Sequence, residues 1–229
     1  MRSQTSKEGL DMSRTIAVTG TGSLRVKPDQ AEIALELEAK DKEYQKSVAL
    51  SSEQLEEITA ALAEVGFAKE ELKTSSFQVR ADYRGEHDEK GNYIQVFDGY
   101  VCHCSMKLSF DLDMKRLGET ISAIGDCRAK PEMNVRFTVK EPEAVNARLL
   151  KAAADNARSK AEFLCAASGV ELGQLQRIEY NWKETPMYSR TAVNADRAVM
   201  PMMKSAFRAE MTPEDIELSD SAAFIWEIC

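Results

Sequence analysis

Cys102, His103 and Cys104 form the run of residues in this chain that is best suited to metal chemistry. Thiolates and imidazoles are the ligands that zinc prefers, and a structural zinc site needs four of them. The run lies in a stretch of alternating apolar residues, which predicts a β-strand whose neighbouring side chains point to opposite faces. Cys102 and Cys104 would share one face and His103 the other. We therefore predict two core thiols beneath a helix and no bound metal or cofactor, with Cys102 and Cys104 as the remaining metal or redox candidates.

Methionines are concentrated in residues 183–214, where regular patterning fails. Met200, Met202 and Met203 lie there together with Phe207. Thioethers can bind Cu(I), but they also make adaptable contact surfaces. We predict that these four residues are contacts in a homo-oligomer. A small-ligand or soft-metal protein, using this segment or Cys102 and Cys104, is the alternative function.

Residue patterns typical of catalysis are scarce. The chain has two histidines, His87 and His103, and no Gly-x-Ser-x-Gly motif. Gly20-Thr21-Gly22 lacks both the lysine of a phosphate-binding loop and the third glycine of a dinucleotide motif, so it predicts a bulged strand. We predict no catalytic residues and no enzymatic activity. A hydrolase with paired carboxylates is the remaining enzymatic hypothesis, because such pairs form in space and not in sequence.

Charge and composition narrow the class of protein. The 229 residues carry a net charge of −8, and 43% of them are hydrophobic. This length supports a sizeable core. An acidic chain lacks the electrostatic footprint of a general nucleic-acid binder, and no apolar run reaches the ~20 residues that span a bilayer. We expect neither nucleic-acid binding nor membrane insertion, and any small-molecule ligand is unknown.

The first residues and the cysteines bear on cellular location. Residues 1–14 are polar and charged, without the apolar stretch of a secretory signal, and we predict a flexible tail there. Five cysteines with irregular spacing do not suggest a disulfide framework. Unpaired thiols are typical of a reducing compartment. The chain as given is therefore expected to be cytoplasmic.

The periodicity of the apolar residues predicts an α+β fold. Two strands are expected over residues 15–26 and 31–37, and the turn Lys27-Pro28-Asp29 would join them as a hairpin. Long helices are predicted over residues 41–65 and 143–168, and a shorter one over 113–124. The remaining strands suggest one mainly antiparallel sheet packed with these helices. We predict a single domain from residue 15 to 229, in which 183–214 is irregular.

Three phrases resemble the SIMPL-domain family over about residues 15–182. They are Val18-Thr19-Gly20-Thr21-Gly22 with its Pro28-Asp29 turn, Leu72-Lys73-Thr74, and the alanine-rich run from Ala147 to Gly173. The resemblance implies a bacterial protein whose relatives are usually exported, often periplasmic or envelope-associated, and in some cases linked to oxidative stress. One such relative assembles into a large ring. It implies no established catalytic residues, and it favours a self-assembling protein connected with stress tolerance.

Overall fold

The structure, a computed structural model, describes residues 14–87, 89–181, 186–195 and 211–229. These residues form eight strands, three α-helices and one short 3-10 helix, Lys69–Glu71. The helices are α1 (Tyr44–Glu64), α2 (Met114–Asp126) and α3 (Pro142–Ser168). The strands are β1 (Thr15–Val26), β2 (Gln30–Asp41), β3 (Leu72–His87), β4 (Tyr93–Asp111), β5 (Glu132–Thr138), β6 (Leu172–Glu179), β7 (Tyr188–Ala195) and β8 (Ile216–Ile228). The predicted α+β class is confirmed.

The strands form two sheets instead of one, and the chain divides into two compact units. One unit contains β1, α3, β6 and nearly all of β8, and the other contains α1, α2, β2 to β5 and β7. The strand orders are β1-β8-β6 and β3-β4-β2-β5-β7. The single domain over residues 15–229 stays a prediction, but its segment 183–214 is not irregular throughout, because β7 lies in it and pairs with β5.

The five-stranded sheet is antiparallel throughout and has its core on one face. The strand β2 lies at its centre, and Leu35 is directly opposite Met106 of β4 and Met133 of β5. These side chains pack with Ile58 of α1 and Leu117 of α2 in one buried cluster. The apolar side chains that alternate along the strands thus pack against the apolar faces of two helices.

The predicted hairpin between β1 and β2 is wrong, because these strands belong to different sheets. Asp29 joins three parts of the second unit instead. Its N–H donates to Thr138 O over 3.0 Å, and its carbonyl accepts from Leu112 N over 2.9 Å. Its side-chain Oδ1 accepts from Lys140 N over 2.8 Å. Pro28 and Asp29 therefore connect a strand of one sheet to a strand of the other, and the hydrogen bonds of Asp29 fix where β2 begins.

The three-stranded sheet is covered by α3, which packs closely on β1. Ala153, Ala157 and Ala161 of the helix are fully buried. A Cβ added to Gly20 would lie 2.0 Å from the carbonyl oxygen of Ala153. Because the two glycines of the Gly-Thr-Gly phrase have no Cβ, they leave room for the backbone of α3 against β1. The small alanine side chains of α3 permit the same close approach from the helix side.

Candidate functional site

Cys102 and Cys104 are buried thiols on one face of β4, as the alternation predicts. They lie opposite Ala39 and Leu37 of β2, and their exposed fractions are 0% and 1%. Burial, followed by the neighbouring Cys102, raises the pKa of the Cys104 thiol. Burial and the raised pKa therefore favour the unreactive thiol form of Cys104.

His103 lies on the other face of the sheet, away from both thiols. Its Nε2 atom is 2.9 Å from Nη2 of Arg80 in β3. The structure thus separates the three residues of the Cys-His-Cys run. Within the described ranges, no group of three or more His, Cys, Asp or Glu side chains is placed to hold a metal ion.

The predicted oligomer contacts Met200, Met202, Met203 and Phe207 lie outside the described residues. Their role stays a prediction.

A two-stranded extension of the large sheet provides another candidate surface. The strand β2 ends where Asp41 lies opposite Tyr100, whereas β3 and β4 stay paired as far as His87 and Tyr93. Residues 82–87 and 93–99 therefore form an antiparallel pair beyond β2, here named the arm. The alternation of charged residues at positions 80, 82, 84 and 86 is the sequence signal for this continuation of β3.

Ion pairs fasten the base of the arm to the end of β2. The Nζ atom of Lys40 lies 2.6 Å from Asp82 and 2.5 Å from Asp98, and Lys42 lies 3.0 Å from Asp98. Asp98 is the extra residue of a bulge in β4, since Asp82 pairs with Gly99 and Tyr83 with Phe97. Hydrogen bonds from Lys40 and then Lys42 lower the pKa of Asp98 to about 2. The carboxylate is therefore ionised at neutral pH, and its charge is shared between two lysines.

Aromatic side chains follow the arm from α1 outward. Tyr44 of α1 contacts Tyr100 edge-on at 5.7 Å between ring centroids, Tyr100 contacts Phe97 at 5.2 Å, and Phe97 contacts Tyr83 at 5.9 Å. We name these four residues the aromatic row. The exposed fractions of Tyr44, Tyr83 and Phe97 are 53%, 55% and 41%. So much apolar ring surface on one side of a two-stranded arm is typical of a contact surface.

The outer side of β3 is an open sheet edge. β3 is the first strand of the five-stranded sheet, and no strand of the described residues lies beyond it. Along this edge the charges alternate in sign, in the order Arg80, Asp82, Arg84 and Glu86. Open edges present unpaired backbone donors and acceptors that can pair with another strand.

No helix in the described part of the chain is long and apolar enough to cross a membrane.

Comparisons with known proteins identify the family. The family model SIMPL, described as a protein of unknown function (DUF541), matches residues 16–226. The chain is also 23% identical over 163 residues to the 26 kDa periplasmic immunogenic proteins of Brucella melitensis and Brucella abortus. The match covers 71% of this chain, which spans 65% of the length of each of these relatives. The extent of the family match, with the Gly-Thr-Gly strand packed on its alanine-rich helix, shows that this chain belongs to the SIMPL family.

Proposed function

We propose that this protein is a non-enzymatic, self-associating protein in which two copies pair through the open edge of β3. The observation that carries the proposal is the aromatic row beside that edge, in which Tyr44, Tyr83 and Phe97 are about half exposed. Strand addition at a sheet edge combines main-chain hydrogen bonds with side-chain contacts from alternate residues.

The charges along β3 favour a second copy of this chain as the partner. In an antiparallel pair centred on Tyr83, Arg80 would lie opposite Glu86 of the second copy, and Asp82 opposite Arg84. Twofold symmetry repeats both pairs, so four opposite-charge pairs would flank the Tyr83 contact. Each such cross-strand pair contributes roughly 0.2–1 kcal/mol. In this register the charges of β3 are therefore complementary to those of β3 in the second copy.

The backbone of β3 is suited to such pairing. The bulge at the base of the arm places its extra residue, Asp98, in β4, and the other irregularity places Ser75 in β3. From residue 76 to 87 the strand therefore has no inserted residue. A regular edge of this length offers continuous hydrogen bonding to a partner strand.

Light scattering coupled to size exclusion on the full chain tests the proposal. The wild-type protein is expected to be a dimer or a larger discrete oligomer. R80E places like charges opposite each other and should shift the protein towards monomer. The double variant R80E/E86R restores opposite charges in the same register and should recover association. R128E, an exposed charge reversal outside β3, is the matched control and should behave as wild type.

Two outcomes would overturn this interface. A wild-type protein that stays monomeric at high concentration removes self-association altogether. An oligomer that R80E leaves intact, but that deletion of residues 198–207 abolishes, would assign assembly to the predicted methionine contacts instead.

A role in stress tolerance and a cytoplasmic location are further proposals about this chain. The first rests on the resemblance to SIMPL relatives. The second is supported by five free cysteines, since thiols persist in reducing compartments, whereas the Brucella relatives are named periplasmic. Fractionation of cells that express the natural gene, followed by antibody detection, distinguishes cytoplasm from periplasm. Comparison of wild-type and deletion strains under peroxide tests the stress role.

A further inference from the structure

A pocket of about 540 Å³ lies within the first unit, between α3 and the β8-β6 side of the small sheet. Its volume is in the range of small-molecule sites. Its lining comes from the helix and from both strands, and it includes Asp155, Arg158, Glu162, Leu175, Phe224 and Trp226. It is separate from the arm, which belongs to the other unit.

The floor of the pocket is aromatic. Phe224 and Trp226 project from the same face of β8, and their rings stack with centroids 5.6 Å apart and planes at 19°. Each has an exposed fraction of 7%. Leu175 of β6 is 45% exposed and adds apolar surface at the side. A flat ring or short hydrocarbon would find complementary contact on this floor.

One wall of the pocket carries a guanidinium group. Nε of Arg158 donates to Glu162 over 2.9 Å, and this is the hydrogen bond that the described residues provide to the guanidinium. An arginine has five N–H donors, so its Nη groups retain capacity for an anion. The other lining carboxylate, Asp155, is paired with Lys151 over 2.7 Å. Asp155 thus has its own cation, and Glu162 engages only Nε of Arg158, which leaves the Nη groups able to bind an added negative charge.

The packing of α3 accounts for the space. The glycines at positions 20 and 22 draw the helix onto β1, the edge strand opposite β6. On the side of β6 a space remains between the helix and the sheet, and Phe224 and Trp226 line it.

We propose that this pocket binds a small amphiphilic anion, an aromatic or short aliphatic acid with one carboxylate or sulfonate group. Its apolar part would lie on the Phe224–Trp226 stack, and its acidic group would accept hydrogen bonds from Arg158. Arginine suits this role because its planar N–H groups match a carboxylate or sulfonate in a bidentate arrangement.

Fluorescence titration of the full chain tests the proposal with two matched probes. The anionic probe is 8-anilinonaphthalene-1-sulfonate, and N-phenyl-1-naphthylamine is its neutral counterpart without the sulfonate. Wild type should bind the anionic probe saturably at one site per chain. R158Q should weaken that binding about tenfold and leave the neutral probe unaffected. L175Q should weaken both probes, because it removes apolar lining.

R148Q is the matched control, since Arg148 is another exposed arginine of α3 that does not line the pocket. It should leave both titrations unchanged. The proposal is overturned if wild type shows no saturable binding, or if R158Q and R148Q bind the anionic probe equally well. It is also overturned if Y83S, on the aromatic row, abolishes the signal, because the probe would then be bound at the arm.

Discussion

Gly20 of β1 lies directly beneath the carbonyl of Ala153 in α3, so close that an added Cβ would come within 2.0 Å of that oxygen. Gly22 has the same relation to the carbonyl of Leu149, at 2.1 Å. Two residues of a strand advance ~6.7 Å, and four residues of a helix advance ~6 Å. The Gly-x-Gly spacing therefore matches successive turns of a helix that runs antiparallel to the strand.

Replacing Gly20 with alanine should destabilise the protein. The added methyl would overlap helix backbone, which cannot rotate away as a side chain can, so α3 must shift off β1. We expect the free energy of unfolding to fall by roughly 3 kcal/mol, at the upper end of the cost of overpacking a core. Urea denaturation, monitored by circular dichroism, measures this free energy of unfolding.

Ser23→Thr is the control for Gly20→Ala. It adds one methyl group to an exposed position of the same strand and should change stability little. Equal stabilities for the Gly20→Ala and wild-type proteins would contradict the close approach of helix and strand.

The ion pairs at the base of the arm predict an unusual acid titration. Because Lys40 and Lys42 hold the pKa of Asp98 at about 2, this carboxylate contributes stability above the ordinary aspartate pKa of about 3.9. The contribution is lost as the pH falls from there towards about 2. NMR titration of the Asp98 carboxyl carbon should show the low midpoint, and Lys40→Met should raise it. An ordinary midpoint in wild type would contradict the lysine contacts.

The burial of the thiols predicts which cysteines react in the native protein. Cys229 is exposed, whereas Cys102 and Cys104 are buried. Brief treatment with iodoacetamide should modify Cys229 in the folded protein and reach the two β4 thiols only in denaturant, because the reagent has no access to a buried sulfur atom. Peptide mass spectrometry measures the extent at each site. Fast labelling of Cys102 or Cys104 without denaturant would contradict their burial.

A buried hydroxyl in α1 predicts a stabilising substitution. Ser51 Oγ is buried without a hydrogen-bond partner among the described residues. Ser51→Ala removes this unsatisfied group, and we expect the free energy of unfolding to rise by about 1 kcal/mol. Thermal denaturation measures the change.

Ser47 provides the comparison for Ser51. It is equally buried, but its hydroxyl donates to Tyr44 O over 2.8 Å. Ser47→Ala should therefore stabilise the protein less than Ser51→Ala. The reverse order would indicate that Ser51 has a partner after all.

Local patterns in the sequence predicted much of this fold. The alternation in residues 31–37 identified the central strand β2, because one face of that strand is apolar and buried under helices and the other carries glutamates. The period of α3 and its buried alanines were equally visible. Cys102 and Cys104 could be placed on one face, and His103 on the other, from the period of a strand alone.

Long-range pairing decided the rest. The residues 27–29 look like a hairpin turn, and only the hydrogen bonds of Asp29 to Thr138, Leu112 and Lys140 show that they cross between two sheets. The arm exists because β3 and β4 stay paired beyond the end of β2, which depends on the lengths of three strands distant in sequence. The pocket lies between α3 and the β8-β6 side of the small sheet, and its lining comes from three elements that are separate in sequence. The sequence by itself determined which residues face inward, because periodicity is local. The tertiary structure decided which strands are neighbours and where edges and cavities remain, because these features depend on contacts between distant segments.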